Sequence, residues 1–219
     1  MDKKKVFHIL ISTLLPLALY ILLFQPYRQE RVTELTIHNI GAIKAIGIAI
    51  LQLGITFFTA AKINSIPLAD TGLFSFRVKN LVHIALGFLF IAFIYLAGAV
   101  LLSFAAGIND IENSLTVNVE TPIWLLAMMM LAVGYYEEFF FRIYMVETMG
   151  AVLGKMPAVL LSAAFFALGH LYQGYWAVIL IFFIGLGFQW IYSKYRSIHV
   201  NAIIHALFDI ISILIKGAI

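Results

Sequence analysis

The stretch MMMLAVGYYEEFFFR, residues 128–142, sets two acids and a base inside text that is otherwise apolar and aromatic. A helix needs about 20 apolar residues to cross a bilayer, and residues 122–147 supply them. Charged groups at mid-bilayer cost about 2.5–3.5 kcal/mol each on insertion scales. Glu137, Glu138 and Arg142 must therefore pair with one another or line a wet cavity. Glu138 and Arg142 stand at i and i+4 with the acid N-terminal, the favourable order for an ion pair. Glu137 lies about 100° away around the helix and should point elsewhere, inward. A carboxylate held away from bulk water suits a general base acting on water. A helix–helix salt bridge is the plainer use of the same pair.

The rest of the chain fits a membrane setting. Of 219 residues, 63% are hydrophobic and 11% charged, against about a quarter charged in a soluble domain. A single integral membrane domain over 1–219 is expected, an all-α polytopic bundle of about seven transmembrane helices. The candidate spans are 6–24, 40–60, 81–107, 122–147, 156–171, 174–193 and 199–216. The fifth and sixth should form a tight helical hairpin. The apolar run 6–24 reads as a retained first helix, since no small-residue cleavage site follows it. Residues 28–34 could instead form an amphipathic helix at the interface. The chain has no cysteine, which excludes disulfides, thiolate metal sites and a cysteine nucleophile.

Basic residues orient the bundle. With the N-terminus in the cytoplasm, ten cations fall inside: Lys3, Lys4, Lys5, Lys62, Arg77, Lys79, Arg142, Lys155, Lys194 and Arg196. Four fall outside: Arg28, Arg31, Lys44 and Lys216. The segment 108–121 holds Asp110, Glu112 and Glu120 and no basic residue. A multi-pass protein of the cell membrane, bacterial and with a cytoplasmic N-terminus, is expected.

Two further stretches carry polar groups where lipid or packed protein should be. His170 closes FFALGH, and Asn201, His205 and Asp209 form one stripe at helical spacing in the last span. Imidazole beside carboxylate fixes a tautomer and presents one N–H outward. The plainer use is a polar seam between helices. His8, His38, His83 and His199 sit near span ends without acidic neighbours on their faces and read as structural. Trp124, Trp176 and Trp190 suit interfacial belts, and Gly185 and Gly187 suit close helix packing. There is no His-Glu-x-x-His helix, no Gly-x-Ser-x-Gly elbow and no phosphate-binding glycine loop.

Glu137-Glu138-x-x-x-Arg142, Phe166-x-x-x-His170 and His205-x-x-x-Asp209, in that order on separate apolar spans, resemble the CAAX protease and bacteriocin-processing (CPBP, or Abi) family of intramembrane proteases. The resemblance covers about residues 120–215. It implies a glutamate-dependent endopeptidase with a cavity open to the cytosol, Glu137 as base with His170, and His205 with Asp209 at the oxyanion. Glu138 and Arg142 would organise the site. Many relatives have asparagine where this chain has Asp209. An ionised aspartate cannot donate to an oxyanion, so Asp209 is expected to orient His205, with Asn201 a candidate amide donor.

The family has often been labelled metalloprotease. Glu137, His170, His205 and Asp209 could ligate a divalent metal such as zinc, and spacing does not decide the point. The expected partners are a peptide or lipidated-protein substrate and the bilayer, with no nucleic acid. The expected cleavage lies near the cytosolic membrane face. Rival readings are a non-catalytic scaffold or immunity protein of the same family and a small proton-coupled transporter.

Overall fold

The computed structural model describes residues 34–106 and 116–217, together with Ile11, Leu17 and Ala18. The expected span 6–24 otherwise lies outside the described residues, as do 28–33 of the expected interfacial helix. Glu34 itself opens a strand, β1 (Glu34–Ile37). Then come α1 (Asn39–Ile63), α2 (Lys79–Ala106), β2 (Thr116–Val119), α3 (Ile123–Leu153), α4 (Lys155–Leu168), α5 (Tyr175–Tyr195) and α6 (Ile198–Gly217). Five of these helices are long and apolar enough to cross a membrane. The chain is an all-α membrane bundle with one small ornament, β1 paired in parallel with β2.

The helices form for the reason the composition predicts. Each is nearly continuous in Leu, Ile, Val, Phe and Ala, and the backbone satisfies its own polar groups, the condition for survival in lipid. Exposed Leu, Ile and Phe side chains cover the outside of α1 and α2. Charged and small residues instead mark the inside. Gly187 abuts Ile91 and Ile94 of α2, and Gly185 abuts Ala163 and Phe166 of α4. A side chain at either glycine would push those helices apart.

Two spans differ from expectation, and both differences move the polar residues. α3 does not stop near 147. It passes through a π-helical segment (Phe139–Tyr144) and continues to Leu153. Glu138 therefore stands at mid-helix, about 22 Å from either end at 1.5 Å per residue. α4 has 14 residues, about 21 Å long, too short for a hydrocarbon core of about 30 Å. It turns back at Gly154 (φ 86°) and climbs beside α3, so that His170 returns to the level of the glutamates. A short turn (Leu171–Gln173) then leads into α5, completing the expected hairpin.

α3 and α6 form the most extensive contact in the bundle, running antiparallel. Tyr135 meets His199 at one level, while Leu125, Leu126, Met129 and Met130 pack with Ala206, Ile210 and Ile213 at another. Gly134 allows this approach, because a Cβ there would lie 3.0 Å from the Ala202 carbonyl oxygen. α1 lies along the other side of α3, with Phe57 6.1 Å from Phe139 between ring centroids.

Candidate active site

The close α3–α6 seam brings six of the seven residues singled out from sequence into one network. Glu138, wholly buried, is its centre. Its Oε2 accepts from Arg142 Nε at 3.0 Å and from Asn201 Nδ2 at 2.9 Å. Its Oε1 accepts from His205 Nδ1 at 3.0 Å, with Arg142 Nη2 at 3.4 Å. A carboxylate with donors on both oxygens has little basicity left for chemistry. The geometry ties Glu138 to α6 as well as to its own helix.

Arg142 is equally buried and is held by more than the ion pair. Its guanidinium lies 4.6 Å from the centroid of Phe166 and 5.7 Å from that of Phe188. The rings give the cation an aromatic face where water is excluded. Nη1 has no hydrogen-bond partner among the described residues. Ser162 Oγ donates to the Phe141 carbonyl at 2.5 Å, tying α4 to the π-helical turn.

His205 is placed between the two glutamates. Its Nδ1–H donates to Glu138, which points Nε2 the other way. Nε2 lies 3.6 Å from Glu137 Oε2 and 3.4 Å from Asp209 Oδ2. Glu137 and Glu138 thus converge on one imidazole, although the helical wheel separates them. The ring can donate toward carboxylates at both nitrogens only as the imidazolium. Phe188 stacks on it at 5.2 Å, and Phe166 meets it edge-on at 5.7 Å.

His170 joins through Phe166. Its ring centroid is 5.0 Å from that of Phe166, and its Nδ1–H donates to the Phe166 carbonyl at 2.9 Å. That bond makes Nε2 the acceptor nitrogen. Asp209 is the most open member, with its side chain 33% exposed against 7% for Glu137 and 5% for His205.

Three sequence expectations change. Asn201 does not offer an amide to an oxyanion, because Nδ2 is spent on Glu138 and on the Phe188 carbonyl at 2.9 Å. The constellation lies at the middle of α3, because that helix runs on past the expected span end at 147 to Leu153. His38 has an acidic neighbour after all: Nδ1 is 2.7 Å from Glu120 Oε2, across the β1–β2 end of the bundle. His199 and His83 are engaged structurally. His199 bridges Tyr135 and the Leu73 carbonyl, and His83 stacks on Tyr195 at 4.1 Å.

The donor set does not fit the metal site considered above. Both His205 nitrogens face carboxylates. Among the described residues, no group of three or more His, Asp or Glu side chains is disposed to hold an ion.

Tyr172 escaped the sequence reading. It follows His170 by two residues and stacks over it, with ring centroids 6.2 Å apart. Its hydroxyl accepts from Gln173 Nε2 at 3.1 Å. Its O–H is a donor at the site's edge. Only its nearness to His170 in sequence could have suggested it.

A family model described as Type II CAAX prenyl endopeptidase Rce1-like matches residues 119–211, the segment from β2 to the middle of α6. No curated protein and no solved structure matches the chain.

Proposed function

We propose that this chain, over residues 119–211 a member of the type II CAAX prenyl endopeptidase Rce1-like family, is a glutamate-dependent intramembrane endopeptidase. The family carries a coarser conclusion, a membrane protease-type protein acting on peptide or prenylated-protein substrates. The finer reading is supported by one observation. Of two adjacent buried glutamates, Glu138 is saturated by donors, while Glu137 faces the imidazole from the more open side.

In this reading Glu137 takes a proton from water, and His170 Nε2 helps to orient that water. The hydroxide attacks the peptide carbonyl. The oxyanion receives the His205 Nε2–H, a preorganised donor in a site shielded from water. Glu137 then returns its proton to the departing amine as the C–N bond breaks. Asp209 steadies His205 from the mouth of the site. Glu138, Arg142 and Asn201 hold the imidazole in place and take no part in bond making.

The test is cleavage of a hydrophobic fluorogenic peptide by purified protein, with Glu137→Ala, His170→Ala and His205→Ala beside it. Loss of turnover in all three, and persistence of wild-type turnover in chelator, is the expected result. Wild-type turnover in all three variants would remove the assignment.

A further inference from the structure

The basic loops and the open side of the site lie at opposite ends of the bundle. One end gathers Lys62 after α1, Arg77 and Lys79 before α2, Lys155 at the α3–α4 turn, and Lys194 and Arg196 between α5 and α6. These ends are adjacent in space. Asn80 donates to Ser197, Asn64 to Tyr144, and Arg196 to the Asp70 carbonyl. The other end holds β1, β2, the His38–Glu120 pair and the C-terminal end of α6. Among the described residues its acids are Glu34 and Glu120, and its cations are Lys44, in α1, and Lys216, in the last turn of α6.

The site is sealed toward the basic end. Phe139, Phe140, Phe141, Ile143 and Tyr144 fill that side of α3 with almost no exposed surface. Beyond them the 64–78 segment is clamped down. Tyr192 donates to the Thr71 carbonyl, His199 bonds the Leu73 carbonyl, and a Cβ on Gly72 (φ 72°) would run into the Arg196 carbonyl. Exposure instead rises the other way, from Glu138 through His205 and Glu137 to Asp209, one turn further toward the β1–β2 end. His170 and Tyr172 stand on that same side, at the end of α4.

Basic loops stay in the cytoplasm because translocating them is disfavoured, and acidic ones carry little bias. We infer that the site opens to the non-cytoplasmic face, and that its substrate is a peptide stretch presented there, part of an exported or membrane-anchored chain. A cytosolic cavity and a cytosolic basic end, both expected from sequence, are mutually exclusive in this fold. The substrate half of the inference rests on the peptidase reading; the orientation half does not.

The absence of cysteine from this chain makes it ready for single-cysteine mapping. Glu120→Cys reports the β1–β2 end, Gln173→Cys the mouth, and Arg77→Cys the basic end. A membrane-impermeant maleimide is applied to sealed right-side-out and inside-out vesicles. The expected result is labelling of the first two in right-side-out vesicles only, and of the third in inside-out vesicles only. Labelling of Arg77→Cys from outside overturns the orientation. Gln173→Cys reacting with Arg77→Cys, or from neither side while Glu120→Cys reacts, overturns the mouth.

An impermeant fluorogenic peptide then tests the substrate. It should be cleaved by right-side-out vesicles and not by inside-out ones, with Glu137→Gln as the blank. The reverse preference overturns the inference. Cleavage by neither, with labelling as expected, leaves the orientation standing and overturns the peptidase reading.

Discussion

Glu137 and Glu138 share a helix turn and a side-chain type, yet the structure surrounds them in opposite ways. Glu138 has three donating side chains and no water-accessible surface, and its partner Arg142 lies against two phenylalanine faces. Glu137 faces the other imidazole nitrogen, which it shares with Asp209, a third exposed. Two identical acids become different reagents through what the neighbouring helices present to each. In the proposed mechanism the saturated one supplies rigidity and the other does the chemistry. A site in a helical bundle thus separates into a locked half and a working half along a single seam.

Breaking the locked half should do the most damage. Arg142→Leu leaves Glu138 buried without its cation, a loss of about 3–5 kcal/mol. Thermal unfolding in detergent should register it as a much lower midpoint or as failure to purify. Removing His205 should fall chiefly on the reaction. His205→Ala deletes the proposed oxyanion donor, worth about 2.7–4 kcal/mol of barrier, and is read in kcat with a smaller change in melting. Asn201→Leu strips one donor from Glu138 and one from the Phe188 carbonyl, costing about 1–3 kcal/mol of stability. That loss should match the one in an Asn201→Ala protein, since packing contributes little to it. Asp209→Asn should be the mildest. Its amide oxygen still accepts from His205 Nε2, and the difference between a charged and a neutral acceptor is about 1 kcal/mol. Turnover should fall by less than about tenfold. A larger fall would give Asp209 a part in bond making.

The same division marks what could be read from the sequence. Hydropathy located five of the long helices, because a lipid-facing helix must be apolar on nearly every side. The Glu138–Arg142 pair was legible because i,i+4 spacing decides it within one helix. The length of α3 was not, since apolar text runs on through the π-helical turn with nothing to mark Leu153 as its end. The convergence of both glutamates on His205 was hidden for a different reason. A helical wheel fixes the angle between neighbours but not the position of a partner helix, and Gly134 lets α6 come close enough for one imidazole to lie between the two. Asn201 read as a free amide for the same reason, as its acceptors lie on α3 and α5. The β1–β2 pair was invisible, being two four-residue strands joined across some eighty positions, too short to carry a periodicity.

Paired isosteric variants separate the work of the two adjacent glutamates. Glu137→Gln and Glu138→Gln are purified side by side, and each is assayed for peptide cleavage and for thermal unfolding. Glu137→Gln should melt like wild type and lose about 10²–10⁴-fold in turnover. Glu138→Gln should melt at a clearly lower temperature, with residual turnover following the folded fraction. Wild-type turnover in a folded Glu137→Gln protein, or an unaltered melt in Glu138→Gln, would contradict that division of work.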